Sequence, residues 1–162
     1  MKTKVPRANP GQFLTFNLRS RPYGVAIGSV REINRMGDIT PVPGKPKFVA
    51  GVMNLRGKVI PVVNLCLKLG LQLVEATRET CIIVVDTELG LIGMIVDSVS
   101  EVVSLGQNQI EPSPILGDVE GIDWVTGIGK VEDKVILLID IEQVLSQVNI
   151  NLNMPREIAK AS

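Results

Sequence analysis

The sequence contains no histidine, which removes the commonest general acid–base group and the commonest metal ligand. Aromatic residues amount to 3% (Phe13, Phe16, Tyr23, Phe48 and Trp124), too few for a base-stacking platform. The two cysteines, Cys66 and Cys81, are far apart and form no Cys-x-x-Cys motif. They cannot build a disulfide framework or, without histidine, a zinc site, and they read as small buried hydrophobes in a reducing compartment. Neither sign of charge is in excess: 17 Lys and Arg balance 17 Asp and Glu. That balance removes the usual electrostatic case for nucleic acid or an anionic membrane. No apolar run approaches the roughly 18 residues of a membrane span. Residues 1–10 lack the apolar stretch of a secretory signal, so a flexible arm over 1–11 and a cytoplasmic protein are expected.

Catalytic signatures are missing too. No serine or cysteine nucleophile has a histidine base, and there is no P-loop. Gly127-Ile128-Gly129 is followed by no third glycine and leads into a strand pattern. Asp118, Glu120 and Asp123 match no calcium-loop spacing and read as a solvated loop. The expectation is no enzyme activity, no cofactor and no metal.

What the chain does have is β-branched aliphatics: 22 Val and 17 Ile, 39 of 162 residues. That composition favours sheet, and the length suits one domain or two small ones sharing a core. Laying residues 48–65 over 124–141 requires a constant offset of 76 and no gap, with five of eighteen pairs identical, Lys58-Val59-Ile60 and Lys134-Val135-Ile136 among them. An internal repeat explains this best. Each copy reads as strand, tight turn (Arg56-Gly57; Glu132-Asp133), strand, then an N-cap (Asn64; Asp140) opening a short helix, the second expected over 141–148. Asp140 with Gln143 resembles a capping box. Further strands are expected at 12–18, 23–30, 81–87, 91–96 and 99–105, and a long loop over 106–123.

Each half thus offers about five strands, enough for a small closed barrel. The fold class expected is mostly β: two barrel subdomains packed together, about 22–76 and 80–142, with short capping helices. Strand 12–18 is free to join either. The strands over 58–65 and 134–141 are apolar on both faces and must be covered twice, by the other barrel and the helices or in part by a partner protein.

One turn invites a functional reading. Gly57 supplies the positive φ of a tight hairpin and leaves Arg56 at the tip, a cation able to fork onto a carboxylate. The second copy has Glu132-Asp133 there, so turn geometry alone does not require arginine. In Val30-Arg31-Glu32-Ile33, an acid stands between two aliphatics.

These residues carry a resemblance. Tyr23-Gly24-Val25, Val30-Arg31-Glu32-Ile33, the run from Phe48 through Asn54-Leu55-Arg56-Gly57 to Asn64-Leu65, Val96-Asp97-Ser98-Val99 and Ile136-Leu137-Leu138-Ile139-Asp140 together resemble the CheW chemotaxis coupling proteins. The match spans roughly residues 12–146, within a single domain over 12–148 and a tail over 149–162. The resemblance implies two SH3-like five-stranded barrels and a non-enzymatic adaptor. Such a protein ties the cytoplasmic tip of methyl-accepting chemoreceptors to the regulatory domain of the histidine kinase CheA. It would be cytoplasmic, recruited to receptor arrays at the membrane, monomeric alone and assembled into arrays with its partners. Carried over, receptor contact in the groove between barrels points to Val30, Glu32, Ile33 and Arg56, and kinase contact to Cys81 and Ile82. Gly57, Asn64 and Asp140 remain turn and cap residues. Where the family usually has Asp-Leu-Arg, this chain has Asn64-Leu65-Cys66. That departure, with the basic Lys45-Pro46-Lys47, keeps open a chemotaxis-like pathway such as twitching motility. A small β-barrel module for nucleic acid or another ligand also stays open, against the neutral charge and scarce aromatics.

Overall fold

A computed structural model describes residues 10–112 and 124–145. The expected N-terminal arm (but for its last two residues), the Asp118–Asp123 acidic run and the C-terminal tail lie outside the described residues. The β-branched runs form strands: β1 (Gly11–Leu18), β2 (Arg21–Ala26), β3 (Val30–Arg35), β4 (Val49–Leu55), β5 (Lys58–Asn64), β6 (Cys81–Thr87), β7 (Gly90–Val96), β8 (Ser98–Leu105), β9 (Ile110–Glu111), β10 (Val125–Val131) and β11 (Lys134–Ile139). One helical turn, α1 (Leu65–Lys68), follows β5.

The strands make two sheets, ordered β8-β1-β2-β11-β10-β9 and β3-β6-β7-β5-β4. The fold is mostly β, with two sheets packed together and few short helices. The sheets do not follow the halves of the sequence. Strands β6 and β7, expected in the second barrel, pair with β3 and β5, whereas β1 and β2 pair with β8 and β11. One sheet keeps β3 with the β4–β5 hairpin and takes β6 and β7 from the second half, and the other keeps β8 and β9 with the β10–β11 hairpin and takes β1 and β2 from the first, so the division at 22–76 and 80–142 is replaced by a reciprocal exchange. The exchange happens where the chain bends. The expected run 23–30 breaks at a 3-10 turn, Ile27–Ser29, so that Val30 opens β3 in the other sheet. Between β7 and β8 the single residue Asp97 does the same.

The repeat itself is visible as geometry. Both hairpins carry a register shift at the same place, between Val49 and Gly51 and between Val125 and Gly127. Arg56 and Glu132 have φ of 51° and 55°, the left-handed conformation that suits the twist of a tight hairpin. The Asn64 N–H donates to the Phe48 carbonyl and the Asp140 N–H to the Trp124 carbonyl, each at 2.7 Å. β5 and β11 then each run parallel to a strand of the other repeat, β7 and β2. A second offset, 69, relates Phe13 to Ile82 and Gly24 to Gly93. In both sheets the glycine leaves room for a large side chain from the next strand: a Cβ at Gly93 would lie 2.9 Å from Ile82 Cγ2, and one at Gly24 would lie 3.0 Å from Leu138 Cδ2 and 3.7 Å from Phe13 Cβ.

Each sheet curls until the continuation of one edge strand reaches the opposite edge. After β3 the chain returns so that Thr40 bridges Val52 of β4, and after β8 it returns so that β9 pairs with β10. The expected loop over 106–123 therefore begins with a 3-10 turn, Gln107–Gln109, and a two-residue strand. Gly51 admits the first closure, because a Cβ there would stand 2.1 Å from the Thr40 carbonyl oxygen.

Three cores result. Ile60, Val62, Ile82 and Val84 fill one curled sheet, and Phe13, Leu105, Ile136 and Leu138 fill the other. The largest lies between the sheets and gathers Phe16, Leu18, Val63, Leu65, Ile83, Val85, Met94 and Ile139, with Val144 and Leu145 from the helical residues 141–145. Successive residues of β5, β6 and β11 therefore point alternately into a private and a shared core, which is why those strands are apolar on both faces. Val59 and Val135, at the same place in the two hairpins, stay exposed.

Candidate functional site

The Asn54–Lys58 turn is shaped by its own residues. Asn54 Oδ1 accepts the Gly57 N–H at 2.7 Å, and Arg56 and Gly57 both adopt positive φ. The Arg56 side chain is thereby thrown toward β3, at the other edge of the same sheet. There its guanidinium grips Glu32 end-on: Nη1 donates to Oε1 at 3.1 Å, and Nη2 donates to Oε2. Two residues that sequence reasoning selected separately thus form one bidentate ion pair that fastens the two sheet edges.

The pair is asymmetric in exposure. The Arg56 side chain is 72% exposed and that of Glu32 20%. By register Glu32 opposes Val84, whose side chain belongs to the private core, so the carboxylate sits at the rim of an apolar interior. Hydrogen bonding from Arg56 holds the Glu32 carboxyl below the ordinary carboxylate range, and Glu32 in turn raises Arg56. End-on pairing engages two of the five guanidinium donors and leaves the Nε edge at an exposed turn tip.

Ile33, next on β3, faces the other way and is 44% exposed; Met36 beyond the strand is 38% exposed. Val30 is half-buried against the shared core. The structure therefore places Val30, Glu32 and Ile33 on the β3 edge and brings Arg56 to Glu32 from the turn at the opposite edge of the same sheet. A cleft of about 480 Å³ on the six-stranded sheet, lined by Gln12, Ala26, Gly28, Thr126 and Asp140 among others, includes none of the four. Arg31, in the bulge where the register shifts between Val30 and Glu32, pairs with Asp86 at 2.6 Å.

The kinase-side residues divide. Cys81 is half-buried at the start of β6, opposite Arg35 of β3. Ile82 has no exposed surface and packs in the private core, so its side chain has nothing to offer a partner; its apolar strand position meant interior packing. Cys66 is buried in α1. Burial, then the nearby Asp97 carboxylate, pushes its thiol up to about 11, so it stays protonated and unreactive. Burial also raises the Cys81 thiol. Asn64 caps α1 by accepting the Leu67 N–H at 3.1 Å, so asparagine serves at that position. Asp140 accepts the N–H groups of Glu142 and Gln143.

Sequence reasoning missed two residues. Asn34 lies two residues beyond Glu32 on the same face of β3, a relation that strand alternation alone would have shown. Asp97, at the crossing between sheets, accepts the Arg19 N–H at 2.7 Å and binds the β1–β2 turn to the strand exchange.

Among the described residues no three His, Cys, Asp or Glu side chains are grouped to hold a metal, and no helix is long and apolar enough to cross a membrane. Comparison with known proteins agrees with the geometry. The chain is 36% identical over 135 residues to the chemotaxis protein CheW of Klebsiella aerogenes, covering 83% of this chain and 81% of that one. It is 31% identical over 150 residues to the CheW of Thermotoga maritima, covering 93% and 97%. The crystal structure of the scaffolding protein TtCheW from Thermoanaerobacter tengcongensis superposes with a TM-score of 0.74 at 36% identity, over 81% of this chain and 89% of that one. The profile of the CheW-like domain matches residues 12–149, and the chain belongs to that family.

Proposed function

We propose that this chain is a non-enzymatic adaptor of a chemotaxis-type pathway, coupling chemoreceptors to the histidine kinase CheA. Its receptor face is the β3 edge with the Arg56 turn, and its kinase face adjoins the start of β6 at Cys81. It is cytoplasmic, recruited to receptor arrays through these contacts, and monomeric when isolated. The carrying observation is the Arg56–Glu32 pair: a guanidinium held at one end by a rim carboxylate and exposed at the other, beside the exposed apolar Ile33. A cation with a free donor edge next to an aliphatic suits an amphipathic receptor helix carrying a carboxylate or an open carbonyl. Glu32 prepays the ordering of the arginine, so less side-chain freedom is lost on binding.

The test is a pair of NMR titrations of the labelled protein, with a chemoreceptor tip fragment and with a CheA regulatory domain. Receptor shifts are expected at Val30, Ile33 and Arg56. Arg56→Glu, which sets two carboxylates against each other, should weaken receptor binding about tenfold or more and leave kinase binding intact. Unchanged receptor affinity in that variant would remove the assignment, and loss of both partners together would make Arg56 a structural residue.

A further inference from the structure

We propose that Asn34 is a positioning residue for receptor binding, setting the Glu32 carboxylate so that Arg56 is presented in one orientation. The inference rests on the receptor-face reading above and adds to it a residue outside the Val30–Ile33 motif.

Asn34 and Glu32 occupy alternate positions of β3, opposite Ile82 and Val84 of β6, and so share the face over the private core. The Asn34 amide satisfies its surroundings with its nitrogen turned to Glu32, donating to Oε1 at 3.1 Å and to the Ile33 carbonyl at 3.2 Å. Oε1 therefore has two donors, Asn34 and Arg56 Nη1, while Oε2 has Arg56 Nη2. A carboxylate on an edge strand with one partner can swing about its terminal torsion, which is broad. A second donor, fixed to the same strand, removes that freedom. The guanidinium plane follows the carboxylate plane in an end-on pair, so locking Glu32 also aims the exposed Nε edge of Arg56. Bound to the Ile33 carbonyl as well, Asn34 ties the carboxylate to the backbone that presents the exposed Ile33. Arg35 lies on the other face, and the Arg31 guanidinium is paired with Asp86.

The experiment compares the wild type, Asn34→Ala, Asn34→Asp and Arg56→Glu in titrations against the receptor tip fragment and the CheA regulatory domain. The Glu32 carboxyl titration is followed by carbon-13 NMR in each. Asn34→Ala should weaken receptor binding about threefold to fivefold, and Asn34→Asp about tenfold, because a second carboxylate then faces Glu32. Kinase affinity should stay unchanged in both Asn34 variants, and the Glu32 midpoint should rise in both, more in Asn34→Asp. If Arg56→Glu loses receptor binding while both Asn34 variants bind normally and the midpoint stays put, the positioning role is overturned and the receptor face stands. If Arg56→Glu itself binds normally, the receptor face falls, and the positioning role in recognition falls with it. Equal loss of receptor and kinase binding in the Asn34 variants would make Asn34 a folding residue and overturn the inference.

Discussion

Ile82 and Gly93 together test whether the private core is built as described. Ile82 is fully buried, and a Cβ on Gly93 would come within 2.9 Å of its Cγ2. Ile82→Ala removes three carbons, worth about 0.8 kcal/mol each in transfer, and leaves a cavity; together they should cost about 3–4 kcal/mol. Gly93→Ala forces its methyl against that Cγ2 and should cost about 1–3 kcal/mol, partly offset by a stiffer unfolded chain. In the double variant the new methyl enters the space Cγ2 has left, so the loss should fall short of the sum by about 1–2 kcal/mol. Urea unfolding of the four proteins measures this directly. Additivity within about 0.5 kcal/mol would refute the close approach. A small stability loss in Ile82→Ala with a large loss of kinase affinity would refute its burial and restore it as a contact residue.

The caps should behave as a matched pair: Asn64→Ala costs about 1 kcal/mol, and Asp140→Ala costs the same or slightly more because its carboxylate serves two N–H groups. Thermal unfolding measures both losses, and Asp140→Asn should recover most of the second. The Glu32 carboxyl is depressed by Arg56, so its contribution is present above the ordinary value of 4.5 and is lost as pH falls through the lower folded value. The urea midpoint of the wild type should therefore exceed that of Arg56→Gln at neutral pH and converge with it in acid. A gap that stays constant with pH would show that the pair contributes nothing through ionisation.

Much of this was legible in local pattern. The hairpins over 48–65 and 124–141 were readable because strand, turn and cap are each set within a few residues, and because a copy 76 residues away repeats them. Gly57, Asn64 and Asp140 act where their types predict, since a positive φ and an orphan N–H are local demands. The resemblance selected Glu32 and Arg56, yet neither residue's neighbours in the chain reveal that they meet 24 positions apart. Asn34 escaped notice because its role exists only once β3 is a strand with Glu32 on the same face. Ile82 was misread for the opposite reason: an apolar strand residue looks alike whether it packs inward or meets a partner, and only the curl of the sheet decides.

The sequence by itself determined that this is a duplicated, β-rich chain without histidine, because composition, turn types and caps depend on residues and their close neighbours. Only the tertiary structure decided which strands share a sheet. Both repeats supply strands of similar length and apolar pattern, so self-closure and exchange satisfy the same local preferences. The bends at Ile27–Ser29 and Asp97 turn the chain from one sheet to the other, and the shared core of Phe16, Val63, Ile83 and Ile139 forms only between sheets so exchanged.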